Sequence, residues 1–351
     1  MQTPFFKISE KKVIEQFEII ENIADIVSYS SKTNPDITKI LETKTKSMFS
    51  VHFKNELKHQ KDLSRTLFIA QAWTKEDVSE LIKKGIKYFV VDNESDLDIL
   101  IDYLKESDDK INLFLRLKLR EKTIRTEKYF VFGMDSDVIN KRILELKENK
   151  KIEKIGIHFH RKTQNMSEWN LQYELENILS EETIKNIDFI NIGGGLPSEY
   201  ANTNMNVFES IFRKLNEFKD WLHDNNIKLW IEPGRFIAAP AGKLITKIIG
   251  IYENNVIVDA SIYNSDMDAI IVPVKLLIEE ECPRESVKEE GVKAYVIKGI
   301  TPCSLDLFRY RAYLKNPKVG DTITFLNAGA YNFRSDFCDL EKIPTEVIEN
   351  E

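Results

Sequence analysis

LFIAQAWTKEDVSELIKKGIKYFVV, residues 67–91, holds two short apolar runs, LFIA (67–70) and YFVV (88–91), on either side of one amphipathic stretch. Four-residue runs rich in aromatic and β-branched side chains suit buried strands. Between them Thr74 can cap a first helical turn, Val78, Leu81 and Ile82 fall on one face, and Gly85 can end the helix. The segment therefore reads strand, helix, strand. NESDLDILIDYLKE, from Asn93, repeats the helical pattern directly afterwards.

Working outward, six further runs have the character of strands: DIVSYS (25–30), SMFSV (47–51), NLFLRL (112–117), IGIHF (155–159), DFINI (188–192) and KLWIE (228–232). Strand starts lie 20 to 43 positions apart, room for one crossover helix each, and the eight together predict an α/β fold, a (β/α)8 barrel of the TIM type. A doubly wound sheet is the rival. It is disfavoured because the chemically suggestive polar residues all follow strands at one end of the pattern, where an α/β barrel keeps its active site. After Pro240 the pattern changes to β-like segments separated by turn residues: KLITKIIGIYE, NVIVDASIY, AIIVPVKLL, VKAYVIKG and DTITFLNA, with a turn at NPKVGD (316–321). The expected division is a barrel over residues 14–240 and a mostly antiparallel β domain over 241–351 with residues 1–13.

Composition bounds the function. The 351 residues carry 50 basic and 57 acidic side chains, a net charge of −7, and 42% are hydrophobic, which excludes disordered and fibrous chains. A mildly acidic chain has no basic field to recruit nucleic acid or an anionic membrane. The opening MQTPFFKISEKKVIEQ carries charge where a signal peptide needs an apolar run, and AIIVPVKLLI is short and contains Lys275, so a cytoplasmic protein without membrane spans is expected. Cys282, Cys303 and Cys338 are far apart and show no metal-ligand spacing, so neither a disulfide framework nor a metal site is expected.

Four groups directly follow barrel strands: Lys32 after the first, His160 after the sixth, Gly193, Gly194 and Gly195 after the seventh, and Glu232 at the end of the eighth. Singly, each has a plain structural reading: a solvated lysine, a satisfied core histidine, a tight turn, a strand end. Together they match one cofactor. Pyridoxal phosphate needs an amine for its aldehyde, an acid for its pyridine nitrogen and backbone amides for its phosphate.

With these residues in place, the chain from about residue 25 to 335 resembles the barrel-type pyridoxal-phosphate decarboxylases, the group of ornithine, arginine, diaminopimelate and carboxynorspermidine decarboxylases. SYSSKTNPDITKILE, FSVHFKNELKH, HFHRKT, GGGLP, EPGRF, ITPCSLDLF and NAGAYNF resemble the family's motifs in order and spacing. The resemblance implies a homodimer with shared active sites, acting on a small amino-acid substrate. It implies that Lys32 links covalently to the cofactor's aldehyde and that Glu232 keeps the pyridine nitrogen protonated. His160 would lie on the ring face, and Gly193 to Gly195 and Gly234 would let main-chain amides approach the phosphate, with Arg235, Thr163 and Tyr331 adding side-chain donors. Cys303 would return a proton to Cα in the other subunit's site, and Asp306 and Tyr331 would cross with it. Glu56 is placed like the family's acidic residue after the second strand, and Arg116 like its arginine near the cofactor; an ordinary ion pair across the barrel mouth is the equal alternative for both.

Two departures bear on the substrate. Ser304 stands where ornithine- and diaminopimelate-type enzymes carry an acidic residue for the substrate's distal ammonium, and a hydroxyl cannot match a carboxylate there. Arg161 and Lys162 stand where relatives place small residues; turned inward they suit a second carboxylate, turned outward they are solvated. The resulting expectation is a decarboxylase of an amino acid or a carboxylated polyamine precursor. The rivals are an amino-acid racemase of similar fold and an inactive regulatory relative, the latter opposed by the retention of Lys32, Glu232 and Cys303.

Overall fold

The computed structural model describes residues 2–119, 132–332 and 334–349. The chain forms two compact units, one of Phe17–Pro197 with Asn206–Gly234, the other of Met1–Gln16 with Ser198–Met205 and Arg235–Glu351.

The first unit is a closed barrel of eight parallel strands: Ile26–Ser30, Met48–Val51, Thr66–Ala70, Tyr88–Val91, Ile111–Arg116, Ile152–His158, Phe189–Asn191 and Lys228–Ile231. The segment 67–91 folds as its pattern dictates. Thr74 and Asp77 form a reciprocal capping box on the helix Lys75–Lys83. Gly85, at φ +92°, takes the left-handed conformation that stops it. Val78 and Leu81 are fully buried.

Alternate residues of each strand point into the barrel. Leu67, Ile69, Val90, Phe114, Phe189 and Trp230 make one cluster there, with Ile26, Met48 and Tyr88 packed against it. Trp230 meets Phe114 edge-on at 5.3 Å and Phe189 at 5.9 Å. Gly156 pairs in register with Phe114 and Phe189, and a Cβ there would come within 2.9 Å of both side chains, so glycine makes the space their rings occupy. Emptying such a position costs about 3–5 kcal/mol per large aromatic. This plug is thus a rigid floor for whatever the strand ends carry.

The second unit is an eight-stranded, mostly antiparallel sheet, as expected. Its long strand Gly242–Tyr252 pairs antiparallel with Phe5–Ser9, Asn255–Val258 and Thr322–Leu326. Val292–Lys298 pairs antiparallel with Leu307–Lys315, a strand the sequence reading did not mark. Two segments are less β-like than expected. NVIVDASIY is strand only over Asn255–Val258, because Ser261 and Asn264 then cap a helical turn, Ile262–Ser265; AIIVPVKLL opens as the helical turn Asp268–Ile271 and reaches strand only at Leu277–Ile278.

Candidate active site

Two residues beyond the apolar plug, on the same face of five strands, the barrel turns polar. Val90 is followed by Asp92, Phe114 by Arg116, Gly156 by His158, Phe189 by Asn191 and Trp230 by Glu232. Arg116, His158 and Asn191 are register neighbours across three strands. Arg116 Nη1 pairs with Asp92 Oδ1 at 3.0 Å. Glu56 lies instead on the turn after the second strand, where its Oε1 accepts from the His52 N–H at 3.0 Å. The ion pair of Arg116 is therefore with Asp92, at the end of the neighbouring strand.

Glu232 is 4% exposed. Asn191 Nδ2 donates to its Oε1 at 2.7 Å, and Asn191 Oδ1 accepts from the Gly193 N–H at 2.9 Å, so one amide fixes both the carboxylate and the glycine turn. His158 Nε2 stands 3.4 Å from the same oxygen, close enough for charge to act but outside hydrogen-bonding alignment. Burial would raise the carboxyl pKa, yet His158, His52 and the Asn191 amide together draw it down to about 2. Glu232 is a committed anion.

Lys32 sits on the turn Ser31–Thr33 after the first strand, where Ser31 Oγ and Thr38 Oγ1 bond at 2.7 Å and Asn34 caps the following helix Pro35–Lys44. Its side chain reaches solvent, but the protein packed around it lowers its pKa, with Glu232 and Glu56 opposing and Arg116 assisting. Burial raises the Glu56 pKa. Burial also holds the imidazoles of His52 and His160 down to about 3, with Lys32 adding to both and His158 to each. His160 lies against the glycine turn: a Cβ on Gly193, itself at φ +65°, would come 3.0 Å from His160 Nδ1. Gly194 backs onto the main chain of Glu232 in the same way, and Gly195 onto that of Lys162. Gly234 packs against Thr33 and Ser30. The barrel mouth thus brings together Lys32, Glu56, Arg116, His160, the glycine turn and Glu232. Thr163 lies half-buried in the loop after the sixth strand.

Arg161 is 8% exposed and its guanidinium pairs with Glu168 at 3.0 Å and with Glu174, while Lys162 pairs with Glu168 at 2.7 Å. The solvated reading of Arg161 is therefore corrected. A buried guanidinium requires carboxylate partners, and this loop supplies two of its own.

The second unit holds the other expected residues. Arg235 is buried in a bidentate pair with Asp268, hydrogen-bonds Tyr200 at 2.8 Å, and lies 5.0 Å from the ring centroid of Tyr331, which has φ +55°. Cys303 and Ser304 lie on the loop before the strand Leu307–Lys315, Ser304 exposed and Cys303 half-buried. Asp306 is 1% exposed. Its Oδ1 accepts from the Ile262 N–H at 3.0 Å, and its Oδ2 from the Thr301 N–H at 2.9 Å and Thr301 Oγ1 at 2.7 Å. Gly299 lacks a Cβ where this carboxylate lies. Asp306 thus anchors its own loop. Phe333 of NAGAYNF lies outside the described residues.

His52, Asp92, His158, Asn191 and Tyr263 received no role from the sequence. The first four could have been found by counting two residues past each buried strand position.

A barrel carrying a lysine, an ionised acid and a glycine turn at its strand ends defines the class of barrel-type pyridoxal-phosphate enzymes. The family described as "Pyridoxal-dependent decarboxylase, pyridoxal binding domain" matches residues 10–239, and the chain belongs to it. The diaminopimelate decarboxylase of Methanocaldococcus jannaschii is 27% identical over 94% of this chain and 82% of that protein. Diaminopimelate decarboxylase from Helicobacter pylori, solved with L-lysine, superposes with a TM-score of 0.82 at 20% identity, over 99% of this chain and 92% of that one. Lysine decarboxylase from Selenomonas ruminantium superposes at 0.81 with 21% identity, over 100% and 94%. These structural likenesses show the fold. The chain is a pyridoxal-phosphate-dependent amino-acid decarboxylase, and nothing found favours a racemase or an inactive relative.

The barrel mouth fits that cofactor. An amine, a buried anion and a turn free of side-chain bulk are the donor set its aldehyde, ring nitrogen and phosphate require. Among the described residues, Thr33 Oγ1, His52 Nδ1 and Glu56 Oε2 are buried there without a hydrogen-bond partner.

Proposed function

We propose that the barrel, residues 14–240, holds pyridoxal phosphate through Lys32 and that decarboxylation depends on Glu232 below it and Cys303 from the β domain, residues 241–351 with 1–13. The observation that carries this reading is Glu232, an anion fixed by Asn191 at the floor of a mouth that also holds Lys32. When bound, the cofactor supplies an electron-withdrawing ring that takes up the charge left on Cα as CO2 departs. Glu232 would hold a proton on the pyridine nitrogen and so keep the ring electron-poor. Lys32, its pKa lowered by the protein packed around it, would be the amine that holds the aldehyde carbon and that the substrate's amino group replaces. His160, its imidazole kept neutral by burial, would lie against the cofactor's ring without competing for the proton. Backbone amides of Gly193 to Gly195 and Gly234, with Thr163, Arg235, Tyr331 and Arg116, serve the cofactor's anionic and polar edges. Cys303 Sγ delivers a proton to Cα, and Ser304 and Glu56 face the substrate.

The substrate is an α-amino acid or carboxylated polyamine precursor whose distal group is not gripped by an acid beside Cys303, since that neighbour is Ser304. CO2 release from the purified holoenzyme over a panel of diamino acids, carboxypolyamines and other amino-carboxylates tests this. Release from one class supports it, and no release from any overturns it.

The protein acts as a cytoplasmic homodimer with composite sites. In support, Ile300 and Leu305, flanking Cys303, are 47% and 61% exposed, and the three cysteines are free. No helix among the described residues is long and apolar enough to cross a membrane. Mixing inactive Lys32→Ala with inactive Cys303→Ala should restore about a quarter of wild-type activity, since half the dimers are mixed and each has one intact site. No recovery despite proven subunit exchange would contradict composite sites.

A further inference from the structure

Cys303 does not stand alone. Tyr263 Oη lies 2.9 Å from its Sγ. The tyrosine is held rigidly: it is 7% exposed, its ring stacks on Phe337 at 4.1 Å, and its carbonyl accepts from the Ser335 N–H at 2.7 Å. Ser261 Oγ accepts from its own N–H at 3.2 Å. On the other side, Asp306 anchors the loop that carries the thiol, its N–H bonding Cys303 O at 3.0 Å. Two independently fixed pieces of backbone therefore bring hydroxyl and sulfur together.

We propose that Tyr263 is a positioning residue for Cys303, its hydroxyl orienting the sulfur and donating to the thiolate form. The catalytic part of this proposal rests on the reading of Cys303 as proton donor. In that step the S–H bond breaks and a Cα–H bond forms, which leaves a thiolate; the Tyr263 O–H stabilises it until water returns the proton. The charges facing the pair act consistently. Tyr263 lowers the Cys303 pKa, helped by the Leu305 and Asp306 N–H groups and opposed by burial and the Asp306 carboxylate. The Tyr263 pKa is pushed up to about 12 by burial, by its bond to Cys303, and by Asp306 and Cys338, so it remains a donor wherever the thiol titrates.

The test is the pH dependence of Cys303 alkylation by iodoacetamide on the holoenzyme, in a Cys282→Ser, Cys338→Ser background, with and without Tyr263→Phe. Phenylalanine keeps the ring stack and removes only the hydroxyl, and thermal unfolding checks that the fold is retained. A hydrogen bond of ordinary net strength changes the thiolate fraction by about five- to tenfold. A weaker acid is also a better nucleophile, which offsets about half of that on a logarithmic scale. Tyr263→Phe should therefore move the profile to higher pH and slow alkylation at pH 7 by about two- to fourfold. Decarboxylation should lose kcat with KM unchanged. An unmoved thiol profile, or an unchanged kcat, overturns the proposal. The reading beneath it is checked separately: Cys303→Ala should slow amine formation by about 10²-fold or more. If that variant keeps its rate, Cys303 is not the proton donor, whatever the thiol profile shows.

Discussion

The barrel mouth and the Cys303 loop are built in opposite ways. At the mouth, the chemistry is repeated along a lattice: each polar group stands two residues past a buried one, and Phe114, Phe189 and Trp230 fix the floor beneath. Position there comes from eight strands at once. The Cys303 loop has no such redundancy. Its shape hangs on Asp306, which gathers Ile262 and Thr301, and on the facing Tyr263. Even the two acids differ. Glu232 is buried with its charge turned toward the site, and Asp306 is buried with its charge spent on its own backbone.

Three changes can break or sharpen that contrast. Glu232→Gln keeps the shape and most hydrogen bonds but removes the anion, so kcat should fall by about 10²–10³ with much weaker loss of cofactor affinity, the scale for one preorganised electrostatic partner. Steady-state kinetics beside cofactor titration checks it, and equal losses in both would make Glu232 a binding group only. Asp306→Ala should act through structure: three donors lose their acceptor, and urea unfolding should show about 2–3 kcal/mol less stability. An unchanged midpoint would mean the loop has another anchor. The third change concerns pH. His52 has a folded pKa of about 3 against an ordinary 6.5, so the unfolded chain binds a proton in that window that the folded chain does not. Stability should therefore rise with pH between those values, by up to about 1.4 kcal/mol per pH unit for this one group, and His52→Asn should flatten the slope accordingly.

The barrel was legible because strand runs such as LFIA and YFVV and the Thr74 to Gly85 helix agree locally with the fold they enter. Lys32, Glu232 and the glycine turn were legible because strand ends announce them. His158 and Asn191 were hidden inside apolar runs, where a lone polar residue reads as core; only the register that aligns them with Arg116 gives them a site. Arg161 was left open between an inward and a solvated side chain because its partners Glu168 and Glu174 come from the following loop and helix, beyond any strand-end pattern. Tyr263 and Cys303 are 40 residues apart in sequence and meet through tertiary contacts that no local period encodes.

The central claim is that Lys32, on the turn after the first barrel strand, is where the cofactor is bound. Reducing the holoenzyme with borohydride and mapping its peptides tests this most directly, since reduction leaves the pyridoxyl group on the lysine that carried it as a stable secondary amine. The account predicts that mass on Lys32 alone, and none after Lys32→Ala. A pyridoxyl group on any other lysine would contradict it.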